Sequence, residues 1–215
     1  MRRPRYDFAY FKAYEFLHCY NIQTFPFDPF SISAQNNWKI EKYKKKAREL
    51  KVSVSAVIRA FGSNDAMTVF NGKDYTIAYN RDITSKARIL FTLMHEFGHI
   101  VCNHFTDFDV SNIRDVLHND IDVELYRLLE TEANCFTANV LAPDVLIEKA
   151  RLNSADKLQN FCGLSKEAAD IRVESFRRNV RPRLTRYDDG IKNNLNPFIN
   201  MIKDGGTASD HGVFH

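Results

Sequence analysis

No apolar run in this 215-residue chain approaches a membrane-spanning length. Its start, Met1-Arg2-Arg3-Pro4-Arg5-Tyr6, leads into amphipathic sequence rather than the continuous apolar core of a secretory signal. Cysteine is scarce: Cys19, Cys102, Cys135 and Cys162 are widely scattered with no CxxC pair. That excludes a disulfide framework and a thiolate zinc knuckle, and the expectation is four reduced, mostly structural thiols in a cytoplasmic protein. An excess of one charge is also missing, since 30 Lys and Arg against 27 Asp and Glu leave a formal +3. Global electrostatics therefore give no support to a dominant nucleic-acid-binding role. There is no internal repeat. With 44% hydrophobic and 27% charged residues the composition is that of an ordinary globular chain, long enough to bury one full core.

Read in order, Asp7 to Tyr20 carries apolar residues at helical spacing, and the Phe-Pro-Phe-Asp-Pro segment after Asn21 ends the pattern. A short helix over Phe30 to Asn37 and a half-buried strand over Trp38 to Tyr43 follow. Lys44 to Phe61 has two readings. A basic helix, a Val-Ser corner and a second helix capped by Ser53 suggest a DNA-binding helix-turn-helix, yet Lys51 occupies the turn position usually given to Gly. Two short helices packed on a sheet would give the same pattern. The β-rich runs Ala66 to Phe70 and Tyr75 to Tyr79 flank Asn71-Gly72, a strong hairpin signal.

Thr84 or Ser85 can cap the next helix, which runs to about Asn103 and buries Leu90, Leu93, Met94, Phe97 and Val101 on one stripe. Phe105 to Asp120 reads as a polar surface loop. A second long helix is expected over Ile121 to Leu141, with Val123, Leu125, Leu128, Leu129, Ala133, Phe136 and Val140 among its buried residues. Three short helices over 144–151, 154–161 and 165–178 follow, the last capped by Ser165. The domain expected is 1–180, with 143–180 as its helical C-terminal part. Residues 181–215 read as a polar, partly flexible tail with one short helix from Pro197 to Lys203.

The helix after the hairpin carries His95-Glu96-Phe97-Gly98-His99. Residues four apart lie on one helix face, so both imidazoles can reach one zinc ion, while Glu96 stands where a general base can hold a water. A solvated helix face could carry the same three residues, but here they interrupt the most apolar helix of the chain, where unpartnered polar groups are costly to bury. Gly98 costs helix stability and is expected to let another backbone approach beside His99. Two histidines need a third ligand. Glu130, in Glu130-Thr-Glu-Ala-Asn134, is the leading candidate; Glu132, on a different helix face, is its competitor. Asn134, one turn beyond Glu130, is placed to fix the tautomer of a ligand imidazole. His104 reads as an exposed helix-end residue, with a supporting or substrate-binding role as the alternative. His18, His118, His211 and His215 have no partner pattern. Tyr126, Arg127 and His104 remain open as donors to a transition-state oxyanion.

These residues resemble the ImmA/IrrE family of metallopeptidases. The likeness is carried by Pro26-Phe-Asp-Pro-Phe30, Tyr75-Thr-Ile-Ala-Tyr-Asn80, Arg88 to His99, Glu130 to Pro143, and Phe161 to Arg172. It implies an α+β fold: a mostly helical zincin-like metallopeptidase domain with a small, about three-stranded sheet packed on the active-site helix. It also implies Zn2+ on His95, His99 and Glu130, Glu96 as base, and Lys44 to Phe61 as two short helices of the protease core rather than a DNA reader. Ala142 departs from the bulky Met more common there. The partner implied is a helix-turn-helix repressor encoded nearby, cleaved to derepress mobile-element, prophage or stress genes. A non-catalytic antirepressor or the toxic half of a two-protein module are the alternatives.

Overall fold

A computed structural model describes residues 3–82, 85–114, 123–178 and 185–207. Thr84 as a cap, the loop beyond residue 114, and His118, His211 and His215 lie outside the described residues. In chain order the elements are α1 (Tyr6–Cys19), α2 (Pro29–Gln35), β1 (Lys39–Lys42), α3 (Tyr43–Leu50), α4 (Val54–Phe61), β2 (Ala66–Phe70) and β3 (Tyr75–Tyr79). They continue with α5 (Lys86–Val101), α6 (His104–Asp107), α7 (Val123–Leu141), α8 (Asp144–Lys149), α9 (Ala155–Cys162), α10 (Lys166–Arg178) and α11 (Asp188–Lys203). The architecture is α+β and mostly helical, with a small three-stranded sheet. Among the described residues no helix is long and apolar enough to cross a membrane. Contacts group the chain into two compact units, one built on Pro29–Asn134 with the chain start through Arg5, the other on Tyr6–Asp28 with the chain from Cys135 onward.

In the first unit the sheet runs β1-β3-β2. β1 pairs parallel to β3 with Ile40 opposite Ile77, and β2 pairs antiparallel with Thr68 opposite Ile77. The β2–β3 connection is closed by Asn71, whose Oδ1 accepts from the backbone N of Lys73 at 3.0 Å and of Asp74 at 2.7 Å, with Gly72 at φ 89°. Such a side-chain turn and a positive φ are what Asn and Gly permit most readily. β2 is an edge strand, and α5 packs on β2, β3 and α2. Leu90, Leu93, Met94, Phe97 and Ile100 form the buried face of α5, with the Trp38 ring 4.9 Å from that of Phe97. Val101, expected on this face, is only half-buried. The cap is Ser85, which accepts from Arg88 N at 3.4 Å.

The basic segment 44–61 forms two helices on the sheet. Tyr43, Ala47 and Val57 make a core with Ala78 of β3, and Lys51 takes the turn position with φ 55° despite its side chain. Glu41 lies buried beneath the lysines, with Lys39 and Lys45 Nζ 2.8 and 2.7 Å from its Oε1 and Lys46 Nζ 3.0 Å from its Oε2. Burial pushes the Glu41 carboxyl up, and the three ammonium groups more than reverse this, to about 2. The basic run thus has a partner within its own unit.

In the second unit Arg172 is 2% exposed and ties α10 to the end of α7 and the start of α8. Its Nε donates to Ala142 O at 2.9 Å, and its Nη2 donates to Asn139 Oδ1 at 3.2 Å and to Asp144 Oδ1 at 2.5 Å. Tyr10 of α1 donates to the other Asp144 oxygen at 3.1 Å. Ser154 and Ser165 cap α9 and α10 as expected, accepting from Lys157 N and Ala168 N. Where the sequence suggested a polar tail with a short helix from Pro197, α11 runs for 16 residues from Asp188 and buries Ile191, Leu195, Phe198 and Ile199. Pro197 sits inside it, giving up one backbone donor, and so reads in sequence as a helix start. Val123, expected in the buried stripe of α7, is exposed.

Arg172→Ala would leave the Asp144 carboxylate buried without its cation. It should lower unfolding stability by about 3–5 kcal/mol, measured by urea denaturation; a loss under about 1 kcal/mol would show that the network is dispensable.

Candidate metal centre

Along α5 the sequence places His95 and His99 one helical turn apart, and their Nε2 atoms lie 3.1 Å from each other. Glu130, reaching in from α7, brings Oε2 to 3.3 Å from His95 Nε2 and Oε1 to 3.5 Å from His99 Nε2. His95, His99 and Glu130 form a group that could hold a metal ion, their ligand atoms all within 4.8 Å of one another. The cleft around them is lined by Thr68 of β2, by Glu96, and by Tyr126, Arg114 and Asn134.

The charge state of this group fits a cation. Burial pushes Glu130 up, but its bonds to His95 and His99 outweigh this and hold it below the usual carboxylate range. Burial lowers His95, and Glu130 more than compensates, so this imidazole is raised. His99 is driven down to about 3, chiefly by burial, and stays neutral. Two ring nitrogens and one carboxylate therefore converge on one point, and this donor set of imidazole and carboxylate suits a divalent metal.

Further polar side chains sit around the group. Asn134, at an exposed position of α7, has Oδ1 3.0 Å from His95 Nδ1. Thr68 Oγ1 donates to Glu96 Oε2 at 2.7 Å. Burial raises the Glu96 carboxyl against the opposing pull of His95 and Thr68, which moves it toward the range useful to a general base. Glu132 does not join the metal group. It is 3% exposed and pairs with Arg5 and His104, whose bonds outweigh the upward push of burial and hold it at about 2.

His104 corrects the expectation of an exposed helix-end residue. It is fully buried, with Nδ1 2.9 Å from His99 Nδ1. The reason is Asn103, which adopts φ 60° just after α5 and folds the chain back so that α6 delivers His104 behind His99. Asn is among the few residues that tolerate this left-handed conformation, and it was the available signal. The alternative considered for His104, a supporting role, is the one its position matches. Thr68 and Arg5 were not anticipated, since their partners lie 28 and 127 residues away in sequence. Of the three oxyanion donors left open, Tyr126 lines the cleft, Arg127 is exposed and His104 is enclosed.

A mostly helical α+β domain whose central helix presents two histidines and a glutamate to a carboxylate from the next long helix has the form of a zincin-like metallopeptidase. Residues 61–174, more than half of the chain, match the peptidase M78 family, described as the IrrE N-terminal-like domain. The chain belongs to this ImmA/IrrE family of metallopeptidases. No curated protein and no solved structure matches it.

Because the raised His95 keeps its proton to higher pH than an ordinary imidazole, a metal must displace that proton to bind. Apparent affinity should rise about tenfold per pH unit while His95 is protonated and level off above its pKa. Chelator competition between pH 5 and 9 measures this, and an affinity independent of pH would contradict it.

Proposed function

We propose that the chain is a zinc-dependent endopeptidase that cleaves a helix-turn-helix transcriptional repressor encoded nearby, derepressing mobile-element, prophage or stress genes. The observation that carries the enzymatic half is the convergence of His95 Nε2, His99 Nε2 and the Glu130 carboxylate at separations of 3.1, 3.3 and 3.5 Å. Tetrahedral zinc, with ligands at about 2.0–2.1 Å, needs ligand atoms roughly 3.3 Å apart. The repressor as substrate is supported by the family resemblance. None of the four cysteines is in a disulfide, in keeping with a reducing cytoplasm as the site of action.

His95, His99 and Glu130 would hold the zinc. When bound, zinc supplies Lewis acidity, making water a nucleophile near neutral pH and polarising the scissile carbonyl. Glu96 takes the attacking water's proton and delivers it to the leaving amine. The Thr68 hydroxyl holds Oε2 and so orients the carboxylate, leaving Oε1 outside that bond. Burial raises the Tyr126 phenol, which keeps it protonated as a donor to the developing oxyanion from the same cleft. The β2 edge, contributing Ala66, Met67 and Thr68 to the cleft wall, offers backbone groups to an extended peptide, a mode of recognition with little demand on side-chain sequence.

Glu96→Gln separates this reading from a binding-only antirepressor. The variant should retain zinc while repressor cleavage falls by about 10²–10⁴-fold, followed by mass spectrometry of the two purified proteins. Full derepression by the Glu96→Gln protein in cells would contradict the proposal.

A further inference from the structure

On the side of His99 that faces away from Glu130 runs a chain of buried groups that the proposed chemistry does not use. His99 Nδ1 lies 2.9 Å from His104 Nδ1, and His104 Nε2 lies 3.2 Å from Glu132 Oε2. Arg5 closes the far end. Its backbone N donates to Glu132 Oε1 at 2.8 Å, its Nε lies 3.1 Å from both carboxylate oxygens, and its Nη2 donates to Oε2 at 2.8 Å. His104 is 0% and Glu132 3% exposed, so water has little access to the bonds of His104, while the Arg5 side chain is 41% exposed. All four residues belong to the first unit.

The direction of each bond follows from donor and acceptor chemistry. A carboxylate only accepts, so His104 presents N–H from Nε2 toward Glu132. Two ring nitrogens in contact must share one proton, and His104 Nδ1 therefore accepts from His99 Nδ1–H. His99 is left with its lone pair on Nε2, the atom 3.1 Å from His95 Nε2 and 3.5 Å from Glu130. The two ligand histidines are consequently held differently. His95 leans on Asn134, at an exposed position, through one bond, whereas His99 is locked by a buried relay anchored on the residue just before α1.

We infer that Arg5 and His104 are positioning residues of the metal centre, fixing His99 through Glu132 in the tautomer and ring orientation that make Nε2 a ligand. The inference rests on the reading of His95, His99 and Glu130 as the ligand set. Arg5 does not approach the reacting atoms; it sets the orientation of Glu132 by a double grip of main chain and guanidinium, and Glu132 sets His104.

The test is zinc affinity of the purified full chain by chelator competition, with thermal unfolding of the metal-free proteins beside it. His104→Leu should weaken zinc by about 10–100-fold, the range seen when an outer partner of a ligand histidine is lost. His104→Gln should recover most of this, because its amide oxygen can accept from His99 Nδ1–H. Arg5→Ala, which keeps the backbone bond, should weaken zinc by about threefold to tenfold and Arg5→Lys by less. Nitrogen-15 spectra of the zinc-loaded wild type should show a proton on His99 Nδ1. A structural cluster with no bearing on the metal would lower melting temperature without this order of affinities. Wild type that binds zinc with a bare His99 Nδ1, or His104→Leu with unchanged affinity, would overturn the inference and leave the ligand set standing. Wild type that binds no zinc would overturn both. Should His104→Leu not fold, the Arg5 variants and the spectrum still decide.

Discussion

Two imidazole nitrogens 3.1 Å apart, with a carboxylate within 3.5 Å of each, bring three potential ligands together at one point. Convergence of this kind is what a divalent cation requires of its ligands, and the rest of the first unit can be understood as the means of bringing them together. α5 supplies two of the donors and is held against β2 and β3, with Leu93, Met94 and Phe97 fully buried. α7 supplies the third.

The polar groups about the pocket each remove one degree of freedom. Thr68, on the edge strand, bonds the Glu96 carboxylate; Asn134 bonds His95; His104, itself held by Glu132, bonds His99. Such supporting bonds are short and directional, and preorganisation of this kind lets a site act on a transition state without first rearranging itself. The β2 edge does two things, since the strand whose Thr68 bonds Glu96 also borders the cleft.

Much of this was legible in the chain because it depends on local periodicity. The α5 stripe, the Ser85, Ser154 and Ser165 caps and the Asn71-Gly72 turn are short-range patterns, and each element lies close to where its residues place it. The His95, Glu96 and His99 spacing belongs to the same class. What sequence hides is contact across long separations: nothing in the neighbourhood of Arg5 or Thr68 announces Glu132 or Glu96. His104 reads as exposed in sequence because the α5 pattern stops before it, and the reversal of the chain that buries it rests on one left-handed residue, Asn103. α11 was underestimated for a different reason. Its apolar positions Ile191, Leu195, Phe198 and Ile199 follow a helical repeat, but the surrounding Asn and Asp and the internal Pro197 break the local propensity that packing then overrides.

The proposed function requires that His95, His99 and Glu130 share a metal ion. Anomalous diffraction at the zinc edge from crystals grown with zinc tests it most directly. A single peak should lie at about 2.0–2.2 Å from His95 Nε2, His99 Nε2 and one oxygen of Glu130. A peak held instead by Glu132 and His104, or none at the α5 histidines in zinc-saturated crystals, would contradict it.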